Sequence, residues 1–261
     1  MADKKERLAK MIEYVSIQKY APIPDLATIF TVSDMTIRRD LDLLEKAGYL
    51  KVVKGVAIIN AERSAETFSL PSYDLVFEVG VNTVEKNKIG KFASSLIKPG
   101  DSIILDTGTT TEQIAKNIPF DMPLKVMCNN LNNLLQLKNR PNIELMVAGG
   151  LYKPNTELFT SDSGVSYIKS FRFSKAFISA AGIDPKYGIT CVEEYEVPLK
   201  RAMLESSIEH ILVIDSSKLG KIETAYFAEL DVIDSVVIDK EGLTAEWQAL
   251  FESKGINLYL A

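Results

Sequence analysis

The sequence predicts two unequal domains, a small helical domain followed by a larger α/β domain with a mostly parallel sheet. Its 261 residues are 46% hydrophobic and 25% charged, which is ordinary for one large or two smaller globular domains. Residues 1–60 hold ten Lys or Arg and eight Asp or Glu, a net charge of +2, whereas residues 61–261 hold 20 and 27, a net charge of −7. From residue 84 onward short apolar strands alternate with helices, the pattern of a parallel sheet covered by helices.

The composition excludes several classes of protein. No apolar run approaches the roughly 18–20 residues that a membrane span needs, and the charged first residues do not resemble a secretory signal. Cys128 and Cys191 form no CxxC pair, which favours a reducing cytoplasm. Because His210 is the single histidine, a Ser-His-Asp triad and a multi-histidine zinc site are both disfavoured. An enzyme of this composition would work with carboxylates, lysines or a bound cofactor. For this chain we expect neither a metal nor a cofactor.

The first 60 residues carry the pattern of three helices and a hairpin. Apolar residues recur at helical spacing in the first helix, Pro22 and Pro24 end it, Ser33 is placed to cap the third helix, and Gly48 ends that helix. The β-rich segment that follows predicts a hairpin with Gly55 at its centre. The predicted helices are 4–18, 25–30 and 34–47, and the predicted hairpin is 49–60. The predicted domains are 1–60 and 84–261, with a linker at 61–83.

The second and third predicted helices, joined by a tight turn, have the layout of a helix-turn-helix. The last helix of such a unit enters the major groove of DNA, where Arg bonds guanine or phosphate and Thr contacts base edges or phosphate. The hairpin would form a wing against the DNA backbone. The predicted DNA-binding residues are Ser33, Met35, Thr36, Arg38, Arg39, Lys51 and Lys54. The alternative is a solvated helical domain whose arginines form surface ion pairs, since Arg39 and Asp40 lie among Asp34, Asp42 and Glu45.

Six predicted strands of the larger domain are followed by a polar residue or a glycine. In open α/β sheets ligands bind at the carboxyl ends of the strands, although polar residues and glycine end most strands in any case. The residues at these ends are Asp106, Asn129, Gly149, Gly182, Asp215 and Asp239. The predicted strands are 102–106, 124–128, 143–147, 175–180, 211–214, 236–238 and 256–260. The predicted helices include 84–97, one ending near 117, one after Asn130, 194–207 and 245–253.

The segment from Asp106 to Thr111 reads Asp-Thr-Gly-Thr-Thr-Thr and lies between a predicted strand and a predicted helix. Gly108 lets the backbone approach a ligand closely, and the hydroxyls with the first helix amides favour a phosphate. The spacing is not that of a P-loop, which disfavours a nucleotide triphosphatase. Threonine-rich helix caps are common, so this segment alone is weak evidence.

Residues 32–41, together with Leu44, Glu45 and Gly48, resemble the winged helix-turn-helix of DeoR-family transcriptional regulators. The wing departs from the family pattern, which has an Arg followed by His-Gly-Gly-Ala. The matching positions here are Val52 and then Lys54, Gly55, Val56 and Ala57. The chain thus lacks the Arg, the His and the second Gly of that wing, while Lys51 and Lys54 supply positive charge to it.

The larger domain resembles the DeoR-family sensor domain, through the Asp106–Thr111 segment and through Gly149-Gly150, Gly182-Ile183-Asp184 and Asp215-Ser216-Ser217-Lys218. Cys128 departs from the family, which commonly has Thr there. The resemblance implies a fold similar to ribose-5-phosphate isomerase and a bound sugar phosphate, with the phosphate on Gly108–Thr111 and charge from Lys86 or Lys200. The implied effector-binding residues are Lys86, Asp106, Gly108, Thr109, Thr110, Thr111, Asn129, Gly150, Glu196, Lys200 and Lys218.

The resemblance implies a repressor of genes for sugar or sugar-derivative catabolism, released from operator DNA by a phosphorylated sugar. The expected partners are double-stranded operator DNA, the sugar phosphate and further copies of the chain, as a homodimer or homotetramer, with no membrane and a cytoplasmic location. We expect no enzymatic activity. Two alternatives remain open: a sugar-phosphate isomerase with an added DNA-binding module, and a regulator that responds to a partner protein. Trp247, Phe251 and His210 are expected to be structural.

Overall fold

The computed structural model describes residues 4–59 and 82–261. The chain divides into two compact units between Val81 and Asn82. We call the first the DNA-binding unit and the second the sensor unit, after the domains that the sequence predicts. Most of the predicted linker, residues 61–81, lies outside the described residues, and the sensor unit begins at Asn82, ahead of the predicted start at residue 84.

The DNA-binding unit contains three helices and a three-stranded antiparallel sheet in the order β1-β3-β2. Its elements are α1 (Lys4–Gln18), β1 (Tyr20–Pro22), α2 (Ile23–Ile29), α3 (Asp34–Lys46), β2 (Leu50–Val53) and β3 (Val56–Ile59). The predicted helices and hairpin are confirmed, with bounds that shift by one or two residues. The sequence did not predict β1, which pairs with β3 at the edge of the sheet and ends in Pro22. An edge strand tolerates a proline because its outer side needs no donor.

The core of this unit comes from the apolar stripes that the helical spacing predicts. Leu8, Met11, Ile12 and Val15 of α1 are buried against Ile37, Leu41 and Leu44 of α3. Burying each such side chain contributes about 1.5–3 kcal/mol. This packing fixes which face of α3 remains in contact with solvent.

The sensor unit is built on a seven-stranded parallel sheet in the order β15-β14-β12-β9-β4-β5-β6. Its strands are β4 (Ser102–Leu105), β5 (Leu124–Cys128), β6 (Ile143–Val147), β9 (Phe173–Ile178), β12 (Ser207–Val213), β14 (Ser235–Ile238) and β15 (Asn257–Leu260). Its helices are α4 (Thr83–Ser95), α5 (Thr109–Asn117), α6 (Leu131–Leu137), α7 (Asp162–Lys169), α8 (Val197–Glu205) and α9 (Ala245–Ser253). The predicted mostly parallel α/β fold is confirmed.

Two small antiparallel sheets accompany the main sheet, and neither was predicted from the sequence. One is a hairpin and the other has the order β10-β11-β13. Their strands are β7 (Leu151–Lys153), β8 (Leu158–Thr160), β10 (Gly182–Asp184), β11 (Gly188–Cys191) and β13 (Ala225–Ala228). The predicted helix 194–207 is also wrong at its start, where a 3-10 turn (Glu194–Glu196) precedes α8. Pro198 occupies the first turn of α8, where a proline costs no helical hydrogen bond.

Alternate residues of the central strands fill apolar cores on opposite faces of the sheet. Ile104 and Met127 belong to one core, whereas Leu105, Val126 and Phe177 belong to the other. This two-sided burial explains why the strands read as continuous apolar runs. No helix in residues 4–59 or 82–261 is both long and apolar enough to cross a membrane.

The three residues expected to be structural are so. Phe251 is fully buried, and the ring of Trp247 packs against it with the centroids 5.7 Å apart. The imidazole of His210 lies between backbone carbonyls, with Nδ1 2.6 Å from the oxygen of Val232 and Nε2 2.8 Å from that of Leu204.

Candidate functional site

The helix α3 begins at a built cap. Ser33 is its N-cap in an extended conformation, and its Oγ accepts a hydrogen bond from the backbone N–H of Thr36 at 3.2 Å. This confirms the capping role predicted for Ser33. A side-chain cap of this kind stabilises a helix start by about 1 kcal/mol. The cap therefore fixes where the exposed side chains of the first turns lie.

One face of α3 exposes the residues that the sequence assigns to DNA. Met35 is 59% exposed, and Arg38 and Arg39 are also exposed, whereas Ile37 and Leu41 face the core. Exposed arginines at the start of a helix are suited to base edges and phosphates.

The alternative, in which these arginines form surface ion pairs with nearby carboxylates, is not observed among the described residues. Asp40 is buried and its Oδ2 accepts a hydrogen bond from Nε of Arg7 at 2.8 Å. Within residues 4–59 and 82–261, neither Arg38 nor Arg39 forms a salt bridge with a described residue. Both guanidinium groups are thus available to an external anion.

The wing is the hairpin of β2 and β3, and both lysines predicted to contact DNA are exposed on it. Lys54 and Gly55 form its two-residue turn with φ of 49° and 79°. Two positive φ values are typical of the turn that matches the twist of a hairpin. Lys51 lies on β2, and the N–H of Val52 donates to Oε1 of Glu45 at 2.9 Å, which fastens the wing to α3. Val52, Lys54 and Val56, where the wing departs from the family pattern, therefore still build a regular hairpin.

In the sensor unit, the order of the strands reverses at β4. The chain proceeds from β4 to β5 and β6 on one side, then crosses to β9 and β12 on the other. In open parallel sheets, ligands bind outside the carboxyl ends of the strands at such a point. Leu105 of β4 is in register with Phe177 of β9 and Cys128 of β5, so Asp106, Ser179 and Asn129 follow at the same edge.

Asp106 and Lys200 form a buried ion pair at this edge. Nζ of Lys200 lies 2.5 Å from Oδ2 of Asp106 and 3.1 Å from the backbone oxygen of Ser179, to which it donates. Asp106 also accepts hydrogen bonds from the N–H groups of Thr107 and Ser179. Burial opposes the charged form of Lys200, but the carboxylates of Asp106 and Glu196 outweigh it and raise the pKa of Lys200. Lys200 therefore stays charged and serves as the counterion of the Asp106 carboxylate.

Glu196 lies one helical turn before Lys200, and its Oε2 is 3.6 Å from Nζ of Lys200. Glu193 and Glu196 form a capping box at the start of the turn that leads into α8. Burial raises the pKa of Glu196 to about 7, although Lys200 opposes the shift. Burial thus favours the protonated form of this carboxyl group, which can donate as well as accept a hydrogen bond to a sugar hydroxyl.

The loop that leads into α5 is held by its own hydroxyls. Gly108, with φ of 147°, is the N-cap of α5. The hydroxyl of Thr111 donates to the backbone oxygen of Asp106 at 2.7 Å, and that of Thr107 donates to the oxygen of Thr156 at 3.1 Å. The hydroxyl of Thr111 therefore already donates its hydrogen to the protein backbone and is not a donor for a ligand. The first amides of a helix have no partner within it, and these amides with Thr109 and Thr110 are the remaining donors for an anion.

Two further asparagines, not singled out as site residues, position the same loop. Nδ2 of Asn130 and Nδ2 of Asn133 donate to the backbone oxygen of Asp106 at 3.2 and 3.0 Å. Asn130 also caps α6, where its Oδ1 accepts from the N–H of Asn133. The adjacent pair Asn129-Asn130 was the available signal, but nothing local in the sequence assigned the second asparagine to Asp106.

Asn129 is fully buried, and neither its Oδ1 nor its Nδ2 has a hydrogen-bond partner among the described residues. A buried polar group left unpaired costs about 1–3 kcal/mol. A ligand hydroxyl at this position would remove that cost. Among the predicted effector residues that the structure describes, Asn129 is the one whose fully buried side-chain atoms lack a hydrogen-bond partner.

The remaining predicted residues flank this edge. Lys86 is buried in the first turn of α4, and Lys218 ends a 3-10 turn after β12. Both ammonium groups act on Asp215. Burial alone would raise the pKa of Asp215, but a hydrogen bond from Ser217 and the charges of Lys218 and Lys86 lower it.

Gly150, the last of the predicted effector residues, stands before β7 with φ of 152°. A Cβ there would lie 2.3 Å from the backbone oxygen of Thr160.

The thiols and carboxylates offer no other chemistry. Cys128 and Cys191 are buried, and burial raises the pKa of each thiol to about 12, so neither is reactive at neutral pH. In the described part of the chain, no three His, Cys, Asp or Glu residues are grouped so that they could hold a metal ion.

Relatives cover nearly the whole chain. The DeoR-like helix-turn-helix domain family matches residues 7–63, and the DeoR C terminal sensor domain family matches residues 81–240. The transcriptional regulator YulB of Bacillus subtilis is 32% identical over 95% of this chain and 94% of its own. The deoxyribose operon repressor of Escherichia coli is 30% identical over 90% of both chains. The lactose phosphotransferase system repressor of Lactococcus lactis is 31% identical over 92% of both chains.

Among solved structures, ribose 5-phosphate isomerase A of Methanocaldococcus jannaschii aligns with a TM-score of 0.39 and 16% identity. The alignment covers 53% of this chain and 55% of the isomerase.

The two family matches fall on the two units that the geometry separates, and together they span more than half of the chain. The sequence identity to curated members extends over nine-tenths of the chain or more. The chain therefore belongs to the DeoR family of transcriptional regulators, with an N-terminal helix-turn-helix DNA-binding domain and a C-terminal sensor domain.

Proposed function

We propose that this protein represses genes for the use of a sugar or a sugar derivative, and that a phosphorylated sugar releases it from DNA. The observation that carries the proposal is the pairing of two features in one chain. Arg38 and Arg39 stand exposed on a capped helix, and a ligand edge with an unsatisfied asparagine, Asn129, lies at the switch point of the sensor sheet. The deoxyribose and lactose repressors, at about 30% identity, support the link to sugar genes.

The operator is double-stranded DNA, and α3 enters its major groove. Ser33, Met35, Thr36, Arg38 and Arg39 contact base edges and nearby phosphates, and Lys51 and Lys54 of the wing contact the backbone. One helix-turn-helix makes few base contacts, so the chain binds as a homodimer or homotetramer on repeated half-sites. Because its target is the chromosome, the protein acts in the cytoplasm.

The effector is held by groups of three kinds. The amides at the start of α5 with Gly108, Thr109, Thr110 and Thr111 receive the phosphate. Lys86 and Lys218 supply positive charge, and Gly150 lets the hairpin of β7 and β8 pack closely beside the site. Asn129 and Glu196 bond sugar hydroxyls, while Asp106 and Lys200 hold the loop in place. To release DNA, the sugar phosphate must bind the two states of the protein with different affinities.

We propose no catalytic role for these residues. An isomerase needs a base that takes a proton from the substrate. Asp106 and Lys200 instead hold each other in a buried pair, and the named relatives are repressors. Purified protein should therefore leave ribose 5-phosphate unconverted.

The DNA contacts are tested by substituting the exposed arginines. Arg38→Ala and Arg39→Ala should each weaken binding to an operator by about 1–3 kcal/mol if the arginine contacts a base. The measurement is fluorescence anisotropy at fixed salt, with a duplex selected from a random library by the wild-type protein. Lys46→Ala is the matched control, because Lys46 is an exposed cation in the last turn of the same helix and pairs with Asp42. If both arginine variants bind as tightly as the Lys46 variant, α3 is not the recognition helix.

The effector edge is tested by thermal unfolding against a panel of sugar phosphates and their unphosphorylated parents. A compound at about 100 times its dissociation constant adds roughly 2.7 kcal/mol to stability. Asn129→Leu should abolish that gain in stability. It should also raise the melting temperature of the ligand-free protein, because burying each of the two unpaired polar atoms costs about 1–3 kcal/mol.

The exposed Asn139 provides the control, since Asn139→Leu should change neither quantity. If the Asn129→Leu variant is still stabilised by the same sugar phosphate, Asn129 is not part of the site. If no phosphorylated compound stabilises the wild-type protein while a partner protein does, the sugar-phosphate proposal is wrong.

A further inference from the structure

The first residue of the sensor unit has an unusual conformation. Asn82 precedes α4 in the left-handed region, with φ of 50° and ψ of 41°. Its side chain makes no capping hydrogen bond to α4, which is the usual use of an asparagine at this position. Asparagine tolerates this backbone at a cost, so its side chain is expected to gain a contact elsewhere.

That contact is with Asp215, at the end of β12. Nδ2 of Asn82 donates to Oδ1 of Asp215 at 2.8 Å and lies 3.3 Å from Oγ of Ser217. Asp215 is 2% exposed, and the same Oδ1 accepts from the N–H and the hydroxyl of Ser217. A hydrogen bond to a buried carboxylate is among the stronger ones in proteins. The start of the sensor unit is thus fastened to one carboxyl group of the main sheet.

The same carboxyl group lies in the field of two lysines of the proposed effector site. Lys86, in the first turn of α4, and Lys218, in the turn after β12, both lower the pKa of Asp215. A phosphate that binds beside Lys86 or Lys218 would compete with the carboxylate of Asp215 for the ammonium group of that lysine. Both lysines are also tied to this contact through the backbone, since the N–H of Lys86 donates to the oxygen of Asn82 at 2.9 Å and the N–H of Lys218 donates to the oxygen of Asp215 at 3.0 Å. An anion bound at either lysine is therefore expected to disturb the hydrogen bond between Asn82 and Asp215.

We propose that Asn82 is a positioning residue that transmits occupancy of the effector site to residues 60–81, which precede it in the chain. This inference rests on the proposed function, because it requires an anion to bind beside Lys86 and Lys218. Asn82 is the first residue after the division between the two units, which is why it is chosen as the position to test.

The test is hydrogen–deuterium exchange on the full chain, with inorganic phosphate, ribose 5-phosphate and glucose 6-phosphate as probes. Each probe is used at the concentration that saturates protection of residues 108–111. Asn82→Gly removes the amide and favours the left-handed backbone, while Asn82→Asp keeps the size but loses both hydrogens. Asn87→Ala is the matched control on the same helix, because Asn87 is exposed and its amide lies 3.4 Å from Gln113.

In the wild type and the Asn87 variant, a probe that protects residues 108–111 should change exchange in residues 60–81 by about fivefold or more, the lower end of typical allosteric coupling. In both Asn82 variants the protection of residues 108–111 should remain and the change in residues 60–81 should disappear. The inference is overturned if residues 60–81 respond in the Asn82 variants as in the wild type, or if they do not respond in the wild type although residues 108–111 are protected. If none of the three probes protects residues 108–111, the phosphate site itself fails, and the inference falls with it.

Discussion

Lys200→Met should lower the free energy of unfolding of the sensor unit by about 3–5 kcal/mol, the cost of removing one partner from a buried ion pair. The substitution keeps the volume of the side chain and leaves Asp106, 1% exposed, without its cation. The carboxylate would retain its bonds from Thr107 and Ser179, which cannot replace a full charge. We expect the ligand edge to lose its shape together with this stability.

The measurement is urea unfolding followed by the fluorescence of Trp247. This is the single tryptophan of the chain and lies half-buried in α9 of the sensor unit, so it reports that unit within the full chain. Lys125→Met is the control. Both side chains of the Lys125–Glu144 ion pair are exposed, so the pair contributes at most about 1 kcal/mol to the free energy of unfolding. Adding Asp106→Asn to Lys200→Met should recover part of the loss. Equal losses for the Lys200 and Lys125 variants would contradict the assigned role of the buried pair.

Gly150→Ala should destabilise the sensor unit by about 2 kcal/mol or more. At φ of 152° any other residue is strained by about 1–3 kcal/mol. The added Cβ would also lie 2.3 Å from the backbone oxygen of Thr160, so the hairpin of β7 and β8 must move away.

Its neighbour provides a matched control, because a Cβ on Gly149 meets no atom within 4 Å. Gly149→Ala should therefore change stability by less than about 0.5 kcal/mol. Unfolding followed at Trp247 measures both variants. Similar stability of the two would show that the approach of Gly150 to Thr160 is not a constraint on the fold.

The features predicted correctly from the sequence are those that local chemistry decides. The cap at Ser33 and the buried positions of Ile37 and Leu41 follow from rules that act within one or two helical turns. The parallel strands were recognisable because burial on both faces makes them continuous apolar runs. The glycine before α5 and the polar residues at the strand ends were also predictable, because each lies next to the strand or helix that it terminates.

The features that were missed depend on residues far apart in the chain. Lys200 is 94 residues from Asp106, and no local pattern marks it as a buried counterion rather than a ligand for phosphate. Arg7 pairs with the buried Asp40 from 33 residues away, a contact that no local pattern indicates. The hairpin of β7 and β8 consists of three-residue strands without clear alternation, and it is held by contacts such as that of Thr107 with Thr156.

The strand order also has a consequence for the newly made protein. The ligand edge joins Asp106 to Ser179, 73 residues later, and to Lys200 beyond it. A chain that has left the ribosome only as far as β6 already carries a complete DNA-binding unit, but neither Ser179 nor Lys200. Domains generally fold in the order in which they are synthesised. In each new molecule the DNA-binding unit is therefore expected to fold before the ligand edge of the sensor unit is complete.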